Sequence, residues 1–193
     1  MDKTQKRRLG FALTGSFCNH RAAMEVLRRL AGDWQIVPIL SFAASGTDTR
    51  FGCAEDLIAG IREITGQAPV RTIPEAERFG PSDPLDALLV CPCTGNTLSK
   101  LAHGITDTPV TMAAKAHLRT DRPLLLALAS NDAMSANLSN IGTLLNRKNI
   151  WFVPMRQDDP RGKPHSLVAD FTRVPEALAA MTEGRQLLPL FLE

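Results

Sequence analysis

The stretch Leu9-Gly10-Phe11-Ala12-Leu13-Thr14-Gly15-Ser16 is a short apolar run that ends in a small polar turn. A nearly continuous apolar run of this length is typical of a strand that is covered on both faces of a parallel sheet. Residues 22–30, which follow it, have apolar side chains three and four positions apart, and this spacing predicts a helix. The chain therefore begins with a strand, a polar turn and a helix.

The same alternation continues to the end of the chain. Further strands are predicted at 36–40, 87–90, 124–129 and 150–153, and further helices at 55–64, 96–103, 110–118 and 138–147. This order predicts an α/β fold with an open, doubly wound parallel sheet between two helical layers. No linker divides the chain, so residues 1–193 are predicted to form a single domain. The Pro- and Gly-rich stretches 79–84 and 157–164 are predicted to be loops, and the second is either a plain surface loop or a mobile lid.

Composition excludes several classes of protein. The 22 Lys and Arg residues exceed the 20 Asp and Glu residues by two, aromatic residues make up 5%, and Tyr is absent, so a nucleic-acid binder is disfavoured. Lys3, Lys6, Arg7 and Arg8 precede an apolar run that is too short for a signal peptide, and no run approaches a membrane span. We therefore expect a cytoplasmic protein that contacts no membrane.

The four cysteines, at positions 18, 53, 91 and 93, form neither a CxxC pair nor a disulfide framework. They are expected to be free thiols, mostly in the core, and no metal site is predicted. His20, His103 and His117 fall in helical stretches and are predicted to be solvated or capping. His165 alone keeps a catalytic role open, and no catalytic residue is assigned.

Ligands of open α/β sheets bind beyond the carboxyl ends of the strands. Thr14-Gly15-Ser16 follows the first strand, where free N–H groups and a hydroxyl suit a phosphate; the alternative is a plain turn in which Ser16 caps the helix. Ser41 follows the second strand and is a candidate to complete a phosphate or ribityl site. Arg50 is a candidate for bidentate contact with a carboxylate, and the alternative is a surface turn in which it pairs with Asp48.

The later strands end in Cys91-Pro92-Cys93-Thr94-Gly95-Asn96-Thr97 and in Ser130-Asn131-Asp132-Ala133-Met134. These stretches offer hydroxyls, amides and glycines but almost no general bases. They suit a phosphorylated cofactor or a polar small molecule better than hydrolysis. The dinucleotide-binding and P-loop patterns are absent, which disfavours an ordinary Rossmann dehydrogenase or an NTPase.

Residues 92–107 resemble the Pro-Ala-Ser-Ala-Asn-Thr motif, with its downstream Lys, Ala, Gly and Asp, of the homo-oligomeric FMN-binding cysteine decarboxylase flavoproteins. The stretches 10–16, 49–52, 94–96, 112–116, 130–133 and 157–160 are similar to the branch of that family that contains the dipicolinate synthase B subunits. The resemblance covers essentially the whole chain. It implies a flavodoxin-like Rossmann fold, and FMN as a possible cofactor.

The resemblance also implies a set of binding residues and a partner. The cofactor-binding candidates are Thr14, Gly15, Ser16, Ser41, Pro92, Thr94, Asn96 and Thr97. The candidates for binding a small dicarboxylate substrate are Arg50, Asn96, Lys100 and Asn131. The implied reaction oxidises a cyclic dihydro- or hydroxytetrahydrodipicolinate to dipicolinate. It takes place together with the NAD(P)-binding A subunit of dipicolinate synthase, in the mother cell of a sporulating bacterium.

The sequence departs from the cysteine decarboxylases at their catalytic positions. Residues 72–90 contain no His, and 128–135 keeps Asn131 and Met134 of the second motif but loses its Pro, Met and Trp. No Cys follows Cys93. Three functions therefore stay open: a subunit of an oxidoreductase, a non-catalytic scaffold or substrate-delivery partner of the NAD(P)-binding protein, and another FMN-binding flavoprotein of the decarboxylase or prenyltransferase type.

Small residues in the helices predicted at 96–103 and 110–118 favour close packing, and they include Ala102, Ala113, Ala114 and Ala116. In the family this region lines contacts between protomers. We therefore expect a homo-oligomer built on trimers. The alternative is that these alanines pack a helix on its own sheet.

Overall fold

A computed structural model describes residues 6–193, and Lys3 lies outside this range. The strands are β1 (Arg8–Leu13), β2 (Gln35–Leu40), β3 (Ala87–Cys93), β4 (Leu124–Ser130), β5 (Ile150–Phe152), β6 (Met155–Arg156) and β7 (Leu167–Ala169). The helices are α1 (His20–Ala31), α2 (Phe42–Gly46), α3 (Ala54–Thr65), α4 (Ile73–Glu77), α5 (Gly95–His103), α6 (Pro109–Leu118), α7 (Leu138–Leu145) and α8 (Val174–Thr182). Among residues 6–193, no helix combines the length and the hydropathy that crossing a membrane requires.

The sheet is parallel in its main part, as predicted. Strands β2, β1, β3, β4 and β5 lie side by side in parallel, so the strand order reverses between β1 and β3. The prediction is incomplete at the far edge, where the last two residues of β4 pair with β7 in the antiparallel sense and β7 pairs with β6. Strands of two or three residues are too short to show a hydrophobic period, which is why the sequence did not reveal this hairpin.

Both faces of the sheet are buried, which confirms the doubly wound arrangement. Phe11 and Leu13 of β1 point into a core that includes side chains from α1, α3 and α8. Ala12, between them, points into a second core with side chains from α4, α5, α6 and α7. Successive residues of a strand face opposite sides of a sheet, so a strand buried on both sides shows no alternation of apolar and polar residues.

The alanines behind the trimer prediction lie inside the chain's own core. Ala113 and Ala114 are fully buried, and Ala102 and Ala116 are nearly so. They pack α5 and α6 against their own sheet, which is the alternative that the sequence left open. These alanines therefore provide no evidence that the chain forms a homo-oligomer.

The cysteines divide into two pairs. Cys91 and Cys93, in β3, are fully buried, and burial raises the pKa of the Cys93 thiol to about 12. Buried thiols of this kind are protonated and inert at neutral pH. Cys18 and Cys53 are exposed, so the expectation that most of the cysteines are core residues is wrong. Both lie in the loops after β1 and β2, where local periodicity does not report burial.

Candidate functional site

Thr14 ties the carboxyl ends of β1 and β3 together. Its Oγ1 donates to the Pro92 carbonyl at 2.7 Å and accepts from the Thr94 N–H at 3.0 Å. The Thr14 carbonyl lies 2.8 Å from Nε2 of His20, at the start of α1. Because the Thr14 side chain is buried and both of its hydrogen-bonding roles are filled, it shapes the site from within the protein.

Ser16 presents its hydroxyl at the start of α1. The chain passes from Ser16 through a short 3-10 turn, Phe17–Asn19, into α1, and the Ser16 side chain makes no cap bond to this turn. Instead, the hydroxyl oxygen accepts from Nδ2 of Asn19 at 2.9 Å, so its own proton remains available to a ligand. The first N–H groups of a helix have no partner within the helix and favour anions.

An open cleft of about 530 Å³ lies beyond the carboxyl ends of β1, β3 and β4. Its volume is within the range of roughly 300–1,000 Å³ that is usual for small-molecule sites. Five parts of the chain surround it: the turn after β1, the loop between α2 and α3, the start of α5, the end of β4, and the segment from the loop after β6 into β7. The lining side chains and backbone groups belong to Gly15, Ser16, Phe17, Cys18, Asn19, Phe51, Thr94, Gly95, Ala129, Ser130, Asn131, Asp132, Asp158, Lys163 and Val168.

A hydrogen-bonded network holds the cleft wall after β4. The Asp132 carboxylate accepts from the Ser130 hydroxyl and, at 2.9 Å, from Nδ2 of Asn137, whose own Oδ1 accepts from Asn140 at 2.9 Å. Gly95 packs directly on this network: a Cβ at Gly95 would lie 2.7 Å from Oδ1 of Asp132 and closer still to Oγ of Ser130. The start of α5 approaches this wall so closely because Gly95 has no side chain.

The loop between β6 and β7 borders the cleft on its open side. Nζ of Lys163 contacts the Asp158 carboxylate at 2.8 Å. Burial alone would raise the pKa of Asp158, but the hydrogen bond and the charge of Lys163 outweigh it and lower that pKa. The carbonyl of His165 accepts from the Met134 N–H at 2.9 Å, which fastens the loop to the segment after β4. This loop therefore contributes a charge pair to the cleft.

The structure brings four of the predicted site residues into this cleft, namely Gly15, Ser16, Thr94 and Asn131. Asn96 is exposed on α5 outside the lining, and Pro92 is buried in β3. Thr94 also caps α5, because its Oγ1 accepts from the Thr97 N–H at 3.2 Å. Thr97 itself is buried beneath the cap.

The remaining predicted residues make contacts within the protein. Ser41 caps α2 by accepting from the Ala44 N–H at 3.2 Å. Lys100 contacts the Asp107 carboxylate at 2.8 Å. The Arg50 guanidinium lies over the Phe51 ring, 4.8 Å from its centroid.

The Asp48 carboxylate accepts from the Ala54 N–H at 2.9 Å instead of pairing with Arg50. The predicted pairing of Asp48 with Arg50 is therefore wrong. An α3 N–H group has no partner within its helix, and the Asp48 carboxylate supplies one.

Several residues that line the cleft were not predicted from the sequence. Asp158 and Lys163 lie in the charged stretch that was predicted only to be a loop, and Ser130 and Asp132 lie in the polar stretch after the fourth strand. The aromatic rings of Phe17 and Phe51 gave no signal, because an isolated Phe in a polar loop is not distinctive. Their positions depend on how distant loops pack together.

The histidines differ from expectation at one position. His117 is fully buried; its Nε2 bonds the Pro123 carbonyl at 2.9 Å, while Nδ1 has no partner among the described residues. Burial lowers the pKa of His117 to about 4 and that of the half-buried His20 below its usual value. His103 and His165 are exposed. The cleft lining contains no imidazole.

Comparison with known proteins identifies the family of the chain. The family model described as Flavoprotein matches residues 1–188, and the chain belongs to this family. Within the family it groups with the B subunit of dipicolinate synthase. It is 39% identical to that protein from Bacillus subtilis (strain 168) over 100% of this chain and 97% of the relative.

Two solved structures extend the comparison. The dipicolinate synthase B subunit from Bacillus halodurans C has a TM-score of 0.89 and 39% identity, covering 97% of this chain and 96% of that one. The dodecameric FMN-dependent UbiX-like decarboxylase from Escherichia coli O157:H7 has a TM-score of 0.62 and 23% identity, covering 76% and 79% of the two chains. This second likeness is one of fold.

Proposed function

We propose that this chain is the flavin-binding B subunit of a dipicolinate synthase, and that FMN occupies the cleft beyond β1, β3 and β4. The observation that carries this proposal is the 39% identity to a dipicolinate synthase B subunit along the entire chain. The matched region spans the whole chain and therefore extends over the loops that surround the cleft. When bound, FMN supplies a redox centre that accepts or donates two electrons.

The residues of the cleft fit FMN at its phosphate end. The Ser16 hydroxyl offers a hydrogen-bond donor to a phosphate, and the dipole of α1 favours negative charge there. Gly15 allows the turn to pass close to its neighbour, because a Cβ at this position would lie 3.1 Å from Cβ of Ala43. These features support a phosphate position at residues 15–19.

The rest of the cleft suits a polar ring system. Phe17 and Phe51 provide apolar surface, and Thr94 and Asn131 provide hydrogen-bonding groups. The network around Asp132 holds this wall in one arrangement before any ligand binds, which lowers the entropic cost of binding.

The cofactor assignment is tested by titrating the purified chain with FMN and with riboflavin while following flavin fluorescence. We expect the wild type to prefer FMN, because only FMN carries the phosphate. Ser16→Asp puts a negative charge at the phosphate position and should weaken FMN binding by about a hundredfold, which is about 2.7 kcal/mol. Ser139→Asp, an exposed serine on α7 away from the cleft, is the control and should bind FMN like the wild type. Equal binding of FMN and riboflavin would contradict the phosphate position.

The proposed reaction removes two electrons from a cyclic dihydro- or hydroxytetrahydrodipicolinate. A dihydrodipicolinate ring loses a hydride equivalent and a proton as it becomes aromatic, and a hydroxytetrahydrodipicolinate ring loses a water molecule in addition. In both cases the two electrons pass finally to NAD(P) on the A subunit of the synthase. Mixing this chain with that NAD(P)-binding protein, NAD(P) and the cyclic precursor should produce dipicolinate and reduced nicotinamide in equal amounts. Neither protein alone should match the rate of the mixture.

A second candidate is a non-catalytic protein that delivers substrate to the NAD(P)-binding protein. It is favoured by the absence of an imidazole from the cleft lining, where Asp132, Asp158 and Lys163 are the charged groups. The two functions differ in one measurement. If the reconstituted rate is unchanged when the chain is freed of flavin, delivery is the function; if it falls, the flavin takes part.

We also propose that the chain assembles into a homo-oligomer, with trimers as the building unit. The related UbiX-like decarboxylase is dodecameric. In this chain Ile105, Leu138 and Leu188 are exposed apolar side chains that a neighbouring copy would cover. Sedimentation should give a mass several times 21.0 kDa at micromolar concentration.

A further inference from the structure

A groove of about 390 Å³ adjoins the cofactor cleft and lies between α1 and α3. Arg21, Met24 and Arg28 line it from α1, and their spacing of three and four residues places them on one face of that helix. Gly60 of α3 lies opposite, where a Cβ would be 3.2 Å from Cε of Met24. The two helices therefore meet at the floor of the groove, and the arginines rise above it.

Phe17 and Phe51 line both the groove and the cleft, so the two adjoin at these residues. The charges of the groove and the cleft are opposite. The charged groups of the cleft are two carboxylates, Asp132 and Asp158, and one ammonium, which already contacts Asp158. Among residues 6–193, the groove is lined by two guanidinium groups, by the Asp56 carboxylate and by His20, whose pKa is lowered by burial.

Arg21 is the unpaired cation of the groove. Within residues 6–193 no carboxylate lies within ion-pair distance of it, whereas Arg28 contacts Glu25 at 2.8 Å. Both arginines are exposed, so their charges are available to an anion from solvent. Arg50, stacked on Phe51, adds a third guanidinium where the groove and the cleft adjoin.

We infer that this groove binds the carboxylates of a small cyclic dicarboxylate and that Arg21 is the main contact. The inference rests on the proposed function and adds the place of the substrate. A dianion entering the cleft would meet two carboxylates there together with the phosphate of FMN, whereas the groove offers cations and an aromatic wall. Because Phe17 and Phe51 line both the groove and the cleft, a dicarboxylate bound in the groove lies beside the proposed cofactor position.

The experiment measures dipicolinate binding to the full chain by isothermal titration calorimetry. Arg21→Ala should weaken binding about tenfold or more, as expected when a charge-assisted contact is lost. Arg21→Lys keeps the charge without the bidentate fork and should weaken it about threefold. Arg28→Ala should also weaken it about threefold, because Glu25 already engages that guanidinium.

Arg29→Ala is the matched control, since Arg29 is the exposed neighbour of Arg28 outside the groove lining, and it should bind dipicolinate like the wild type. Picolinate, with one carboxylate, should bind the wild type about tenfold more weakly. The inference is overturned if Arg21→Ala binds dipicolinate like the wild type, if Lys163→Ala abolishes binding while Arg21→Ala does not, or if the wild type binds no dipicolinate.

An FMN titration of the same proteins separates this inference from the proposed function. Arg21 lies outside the cleft lining, so Arg21→Ala should bind FMN with unchanged affinity. If the wild type binds dipicolinate through Arg21 but does not bind FMN, the assignment of the groove as the dicarboxylate site is supported and the cofactor assignment is contradicted. If FMN binds and Arg21→Ala does not change the affinity for dipicolinate, the cofactor assignment is supported and the groove is not the dicarboxylate site.

Discussion

The two ends of the parallel sheet use their polar residues in different ways. At the amino ends, Arg8 contacts Asp83 at 2.6 Å and the Pro84 carbonyl at 2.9 Å, and Arg122 bonds the Leu85 carbonyl at 2.5 Å. At the carboxyl ends the polar groups are small, and a cleft and a groove open beside them. The charged side chains at the amino ends therefore hold loops to strands, whereas the hydrogen-bond donors and cations at the carboxyl ends are available to ligands. Substitutions at the first end should change stability, and those at the second should change binding.

The largest effect at the amino ends should come from His117, which bonds the carbonyl just before β4. Its pKa is about 4 in the folded chain and about 6.5 when unfolded, so the unfolded chain takes up the proton first as the pH falls. The titration of His117 therefore does not reduce the free energy of unfolding above pH 6.5. Between pH 6.5 and pH 4 it lowers that free energy by up to about 3 kcal/mol. Urea unfolding at pH 7 and pH 5 measures this decline.

His117→Gln should flatten that dependence, because the buried titrating group is gone. His103→Gln removes an exposed imidazole and leaves His117 in place, so it serves as the control. Flavin and dipicolinate binding at pH 7 should be the same in the wild type and in folded His117→Gln. Loss of binding in that variant would contradict the division between the two ends.

Gly95 lies at the carboxyl ends of the strands, but we expect its substitution to change both stability and ligand binding. Gly95→Ala would force a Cβ into the network of Ser130, Asp132 and Asn137, so it should lower the free energy of unfolding by about 2 kcal/mol and weaken FMN binding as well. Gly142→Ala is the matched control: no atom lies within 4 Å of its added Cβ, and α7 should gain up to about 1 kcal/mol. Urea denaturation of both variants tests the pair. If the two variants are equally stable, the network of Ser130, Asp132 and Asn137 accommodates the added methyl group without a cost in stability.

The ion pairs of Arg8 and Lys148 should give the smallest effects. The Arg8 side chain is 26% exposed and has two partners, so Arg8→Ala should lower the free energy of unfolding by about 1 kcal/mol. Lys148 contacts Asp121 with both side chains about three-quarters exposed, and Lys148→Ala should change stability by less than about 0.5 kcal/mol. Both variants should bind FMN like the wild type in the fluorescence titration. A binding defect in Arg8→Ala would link the amino ends to the cleft.

Local sequence predicted the elements that are long and strongly patterned. The five parallel strands and helices α1, α3, α5, α6 and α7 follow from apolar runs and from three- and four-residue spacing. The five-residue helices α2 and α4 and the hairpin of β6 and β7 were missed, because each is too short to display a period. The helix at 174–182 was not predicted either, although its residues are rich in alanine and leucine.

The candidate site was predicted in part, and the reason lies in the distance between its members along the chain. Ser16 and Thr94 follow their strands directly, so the rule for parallel sheets was enough to place them. Lys163 reaches the cleft only because the hairpin after β5 turns back to pair with β4. Arg50 and Lys100 were chosen for their charge, but whether they contact Phe51 and Asp107 or a ligand depends on side-chain conformations that the sequence does not indicate.

The sequence by itself determined the alternation of strands and helices, the polar turns at the strand ends and the likeness to the flavoproteins, because these depend on neighbouring residues. Only the tertiary structure decided which charges from distant segments come together and which line a common groove. Arg21 and Arg28 are ordinary exposed residues of an amphipathic helix until α3 packs beside them and forms a groove. Electrostatic interactions depend on distance and burial, and both are set by the packing of segments that lie far apart in the chain.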